Sequence, residues 1–258
     1  MNKIPERFDI LKNNGQKALI AYVTGGDPDM ETTEKLILAM AEEGVDIIEI
    51  GIPFSDPVAE GVEIQAAHER SLANGCTADK IFDMITKVRS KTNIPLLFMT
   101  YMNPVFTYGK EKFMSKCKET GIDGVIIPDL PFEEKDEIEN ECKKYDISLI
   151  SLIAPTSQER IEKISKDANG FLYCISLPGV ENSGLPGLSE LISEIKKNSP
   201  LPCLIGLENS DFEQAKETAK ISDGIIISEL LVKTVAEFGK ESIESVRKIV
   251  KDFKESIK

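Results

Sequence analysis

The chain has 258 residues, 41% of them hydrophobic, enough for one large core or two small ones. Its formal charge of −13 argues against nucleic acid or an anionic membrane surface as a partner. No apolar run approaches the roughly 18 residues a membrane helix needs, the N-terminus lacks the basic-then-apolar design of a signal peptide, and Cys76, Cys117, Cys142, Cys174 and Cys203 are scattered without a Cys-x-x-Cys pair, so a reduced, cytoplasmic protein without structural zinc is expected.

Taken in order, Ile4–Asn14 reads as a short helix, followed by an apolar run, Ala18–Thr24, closed by Gly25-Gly26-Asp27-Pro28. A helical pattern covers Asp29–Glu43, and Gly44 stands where a left-handed cap is wanted. The next strand, Asp46-Ile-Ile-Glu-Ile-Gly51, breaks at Gly51-Ile52-Pro53 into a loop bearing Asp56 and Glu60. Helices are expected over Val62–Ala73 and Ala78–Arg89. Six further apolar runs follow: Pro95–Tyr101, Gly124–Pro128, Ser148–Ala154, Phe171–Ser176, Pro202–Leu207 and Gly224–Ser228. Between and after them, helical patterns cover Lys110–Thr120, Glu133–Tyr145, Gln158–Asp167, Leu188–Asn198, Asp211–Ile221 and Ile243–Ile257. Eight buried strands alternating with helices predict a single-domain (β/α)8 TIM barrel across residues 1–258, with the N-terminal helix capping the barrel floor. An open doubly wound sheet is the rival, but no Gly-x-Gly-x-x-Gly follows the first strand, and no cofactor is expected on this chain.

Chemistry in such a barrel sits on the loops after the strand ends. Those ends here are polar and acidic, with no obvious cationic partner: Thr24 and Asp27, Glu49 to Glu60, Tyr101 and Asn103, Asp129, Thr156, Ser176 to Ser183, Gly206 and Glu208, Ser228 and Glu229. Glu49 stands out, because ionising a carboxylate inside an apolar strand costs several kcal/mol unless it is paired or its pKa rises. It is either a candidate general acid or base, or an edge-strand residue facing water. His68, the only histidine, lies in the charged segment His68-Glu69-Arg70 and is expected to be exposed and structural. The acids show no Asp-x-Asp spacing for a hard cation, so no metal is expected.

The stretch Glu49-Ile-Gly-Ile-Pro-Phe-Ser-Asp-Pro-Val-Ala-Glu-Gly61, with Ile64 and Gln65, resembles the signature of the tryptophan synthase alpha-subunit family. Ala21–Pro28, Tyr101–Phe106, Pro128–Glu134 and Ala154–Ser157 resemble further segments of that family in its order. The resemblance implies a (β/α)8 barrel that cleaves indole-3-glycerol phosphate by a retro-aldol step, passing indole to a pyridoxal-phosphate beta subunit. It also implies that Glu49 is the general acid/base and that Glu60, standing where the family has Asp, steadies the developing indolenine charge. On the same basis Tyr173 lies near the glycerol hydroxyl, Tyr22, Ile64, Met99, Tyr101 and Ile126 contribute to the substrate pocket, and Pro53 and Asp56 belong to the partner loop.

The departures fall where that family grips phosphate. Its Gly-Phe-Gly-Ile is Gly206-Leu-Glu-Asn209 here, its Gly-Ser is Ser228-Glu229, and its Val-Thr-Gly is Val180-Glu-Asn182. A carboxylate roughly 5 Å from a phosphate charge repels it by about 3 kcal/mol at an effective dielectric near 20. The replaced residues therefore raise an alternative, a diverged paralogue acting on a non-phosphorylated substrate. A second alternative is a non-catalytic partner of a beta-type subunit.

Overall fold

The computed structural model describes residues 2–175, 187–207 and 211–258, with the side chains of Gln158 and Glu159 left aside. Among the described residues, parallel strands form one sheet in the order β5-β4-β3-β2-β1-β9-β8-β7-β6. These are β1 (Ala18–Thr24), β2 (Ile47–Gly51), β3 (Leu96–Met99), β4 (Gly124–Ile126), β5 (Ser148–Leu149), β6 (Ser151–Ile153), β7 (Leu172–Cys174), β8 (Cys203–Leu207) and β9 (Gly224–Ile227). The run Ser148–Ala154, expected as one strand, is divided at Ile150. Its first half pairs with β4 and its second with β7. One stretch of chain thus changes neighbours along its length, as the stagger of a closing barrel requires, and the sheet is an eight-membered barrel nearly closed through that stretch.

The strands are apolar on both faces because both are covered. Outside lie α2 (Met30–Glu42), α3 (Val62–Ala73), α4 (Ala78–Arg89), α6 (Lys110–Thr120), α7 (Asp136–Tyr145), α8 (Ile161–Asp167), α9 (Leu188–Asn198), α10 (Phe212–Ile221) and α12 (Ile243–Ser256). Inside, Ile20, Ile47, Leu97, Ile126, Phe171, Leu204 and Ile226 form a buried plug. The first helix, α1 (Ile4–Asn13), closes this plug from below: Ile4, Phe8 and Leu11 join the same cluster, and the Phe8 and Phe171 rings lie 5.7 Å apart. Two helices escape the sequence reading, α5 (Met102–Tyr108) and α11 (Glu229–Phe238). Both start at strand ends, and both shape the mouth.

Candidate active site

At the C-terminal end of the barrel, Glu49 on β2 stands beside Tyr22 on β1, its register partner. Glu49 is 1% exposed, and its Oε2 is buried with no hydrogen-bond partner among the described residues. It therefore does not face water. Burial, reinforced by the charge of Glu60, pushes its carboxyl up to about 8. Glu60 sits half-buried on the loop after β2. Burial pushes it up to about 7, against a hydrogen bond from Tyr101 that pulls the other way. The Tyr101 hydroxyl also accepts the Ala59 N–H at 3.1 Å, while the Gln65 amide donates to the Glu60 carbonyl at 2.8 Å, so the loop is held at both ends of the Ala59-Glu60 step. Burial raises both carboxyls above the ordinary glutamate value, and the charge of Glu60 adds to the rise of Glu49.

Tyr173 on β7 faces the same carboxylates. Burial first, then the charges of Glu49 and Glu60, raise its phenol well above the usual range, so it stays protonated. Gly206 makes room for that ring: a Cβ there would meet Tyr173 Cε2 at 2.9 Å and Oη at 3.0 Å. Tyr22 and Ile64 pack with Ala67 and Val232 in one apolar cluster, with Met99 against it. Ile126 lies deeper, in the interior plug, with Met99 and Tyr173 packed on it. Pro53 is buried at the turn, whereas Asp56 is exposed and accepts the Ser55 hydroxyl at 2.6 Å.

Two expectations are corrected. His68 is buried, 3% exposed, because Ile64, Ala67, His68 and Ser71 form the inward stripe of α3 at helical spacing. That spacing was visible in the sequence; the charged neighbours Glu69 and Arg70 masked it. The mouth also has a cation: Glu229 begins α11, so Lys233 falls one turn on, 3.1 Å from Glu229 and 3.8 Å from Glu63. The carboxylate of Glu229 is thereby paired, and Ser228 stands at the start of the same helix without a side-chain capping hydrogen bond. Glu208, Asn209 and the loop with Val180-Glu-Asn182 lie outside the described residues.

A parallel barrel carrying a shielded carboxylate, a second acid and a protonated phenol at the ends of different strands defines an acid–base enzyme of the (β/α)8 class. The family model for the tryptophan synthase alpha chain matches residues 8–258. A tryptophan synthase alpha chain from Thermoanaerobacter sp. (strain X514) is 44% identical over 260 aligned residues, covering 99% of each chain. The crystal structure of the alpha chain from Legionella pneumophila superposes with a TM-score of 0.91 at 34% identity, covering 100% of this chain and 97% of that one. A solved structure from Aquifex aeolicus gives a TM-score of 0.91 at 39% identity, with 99% of each chain covered. The chain belongs to the tryptophan synthase alpha-chain family, and it is a lyase for cleavage of indole-3-glycerol phosphate to indole and glyceraldehyde 3-phosphate. Identity of this order along the whole chain does not favour the diverged-paralogue alternative. Alpha chains of this family work with a beta chain.

Proposed function

We propose that Glu49 is the general acid/base of this cleavage, Glu60 the carboxylate that meets the indole N–H, and Tyr173 the phenol beside the glycerol chain. In the forward direction a proton is delivered to indole C3, giving an indolenine cation. Loss of the proton from the hydroxyl on the adjacent glycerol carbon then forms the aldehyde. The carbon–carbon bond breaks, and its electron pair returns to the ring as neutral indole. Glu49 is suited to the proton transfers because a group near 8 is protonated at neutral pH yet able to give its proton up. An ionised Glu60 next to the ring nitrogen offsets the charge that develops there. The apolar cluster of Tyr22, Ile64 and Met99 supports the same assignment, since it offers a flat aromatic substrate an apolar wall.

The observation that carries this reading is a fully buried Glu49 whose Oε2 has no hydrogen-bond partner among the described residues. Removing its ionisable group tests it. Glu49→Gln keeps the shape and is expected to lower kcat for indole release from indole-3-glycerol phosphate by about a thousandfold or more, with KM nearly unchanged. An activity within about tenfold of the parent would assign the proton to another group.

Docking of a pyridoxal-phosphate beta subunit is proposed for the segments after β2 and β3. Val58, Val62 and Phe106 are 81%, 73% and 50% exposed there, alongside the Pro53 turn and the free face of Asp56. A biosynthetic enzyme handing indole to such a subunit fits the cytoplasm, and no helix among the described residues is long and apolar enough to cross a membrane.

A further inference from the structure

The chain's single histidine lies between the pocket wall and the partner loop, and the acid/base steps make no use of it. His68 Nδ1 accepts the Phe54 N–H at 3.3 Å, and Nε2 lies 3.2 Å from Tyr22 Oη. A backbone N–H can only donate, so Nδ1 must hold a lone pair. In the neutral ring the proton is then on Nε2, which donates to the phenol. Burial lowers the imidazole to about 4, which keeps that ring neutral across the physiological range. Thr24 Oγ1 donates to the same phenol oxygen from 3.2 Å. With both lone pairs of Oη engaged, the phenol's own proton is turned away from His68 and Thr24.

The hydrogen bonds therefore run in one direction, from Phe54 N–H through the imidazole to Tyr22 Oη. The Tyr22 ring can reach this position because it passes over Gly51, where any Cβ would collide with it. We propose that His68 is a positioning residue: it fixes the Tyr22 phenol in the pocket wall and ties it to the Phe54 turn between Pro53 and Asp56. That role rests on the reading of the mouth as the indole-3-glycerol phosphate site. A histidine that merely filled space would serve equally well in either tautomer, and this difference makes the two roles separable.

Because the chain has no other histidine, its imidazole nitrogen resonances are assigned without ambiguity. In the full chain with ¹⁵N-labelled histidine near pH 7, the Nε2–H tautomer is expected. Tyr22→Phe should move the Nε2 resonance and leave the tautomer unchanged, and added indole should shift the His68 signals in the parent more than in Tyr22→Phe. In turnover, His68→Phe is expected to lower kcat about tenfold with KM changed less than about threefold. His68→Gln keeps an N–H donor at similar reach and should recover most of that loss. Adding Tyr22→Phe to His68→Phe should cost no more than about twofold further, because the two act as one unit. An Nδ1–H or protonated ring near pH 7, or losses that multiply in the double variant, would overturn the role. Should His68→Phe not fold, the resonance comparison between parent and Tyr22→Phe decides alone. A parent chain that makes no indole would count against the substrate reading, while the tautomer and the response to indole would still decide the role of His68.

Discussion

Gly51, at the end of β2, carries no Cβ, and an added one would sit 2.0 Å from Tyr22 Oη and 2.7 Å from Cζ. Neither neighbour yields easily, since Gly51 is in the β1–β2 ladder and the phenol is held by His68 and Thr24. Gly51→Ala is therefore expected to cost about 1–3 kcal/mol in urea unfolding by overpacking. It should also lower kcat/KM for indole release by about a hundredfold, because the displaced ring narrows the pocket and shifts the reacting geometry. Tyr22→Leu in the same chain removes the atoms that collide and should restore most of the stability, though not the activity. Equal unfolding midpoints for the parent and Gly51→Ala would show that the phenol has another place to go. Gly51 and Gly206 both lie in strands, and what each makes room for is a tyrosine of the neighbouring strand, Tyr22 for Gly51 and Tyr173 for Gly206, which the sequence alone does not show.

The strand beginnings repeat one device. Asp46, Asp123 and Asp223 each precede a strand, β2, β4 and β9, and each carboxylate accepts the N–H of the strand beside it: Leu19 at 2.6 Å, Leu96 at 3.0 Å and Cys203 at 2.9 Å. Each also meets a cation: Lys254 at 2.6 Å, Arg89 at 2.8 Å and Lys196 at 3.1 Å respectively. Asp123→Ala leaves the largely buried Arg89 uncompensated and the Leu96 N–H unpaired, so a loss of about 3–5 kcal/mol in urea unfolding is expected. Asp123→Asn, which still accepts the N–H, should lose less. Since the device sits at the floor and the carboxylate pair at the mouth, kcat at low temperature should stay within about threefold for the Asn variant. A larger drop would mean that the floor sets the geometry of the mouth. The strands themselves were legible as apolar runs, and helices such as α3, α4, α6 and α9 as amphipathic ones. The change of neighbours at Ile150 was not, because it depends on pairing rather than on local residues. Helix α5 was hidden by Asn103-Pro104, although a proline in the first turn breaks no helical hydrogen bond. Helix α11 follows β9 after Ser228 alone, and the apolar Leu230-Leu-Val232 so close to the strand is not read as the start of a helix. Missing that helix removed Lys233 from view, and with it the partner of Glu229. Glu49 was legible because an acid in an apolar strand contradicts its surroundings, whereas His68 agreed with its charged neighbours and drew no such attention.

For the molecule as a whole, the site has a cost in stability that depends on pH. Glu49 at about 8 and Glu60 at about 7 lie above the ordinary glutamate value of 4.5 that the unfolded chain shows. Between pH 4.5 and 8 the folded chain therefore retains protons that the unfolded chain has released, and stability must fall as pH rises through that window. Carboxylates paired with lysines act in the opposite sense. Glu31, Glu139 and Glu194 are held below the usual range by hydrogen bonds from Lys35, Lys143 and Lys197, so their contribution is present above about pH 4.5 and is lost as pH drops further. The two trends place maximum stability near pH 5, lower than for most proteins, and the formal charge of −13 steepens the alkaline side through self-repulsion. Urea midpoints measured from about pH 4 to 9 should peak near 5 and decline by the equivalent of a few kcal/mol by pH 8. In Glu49→Gln/Glu60→Gln that decline should flatten and stability near pH 8 should rise, even as activity disappears. A parent curve that is level from about pH 5 to 8 would mean that both carboxylates ionise in the folded chain as freely as in the unfolded one. Glu49 would then hold no proton at neutral pH to deliver to the indole ring.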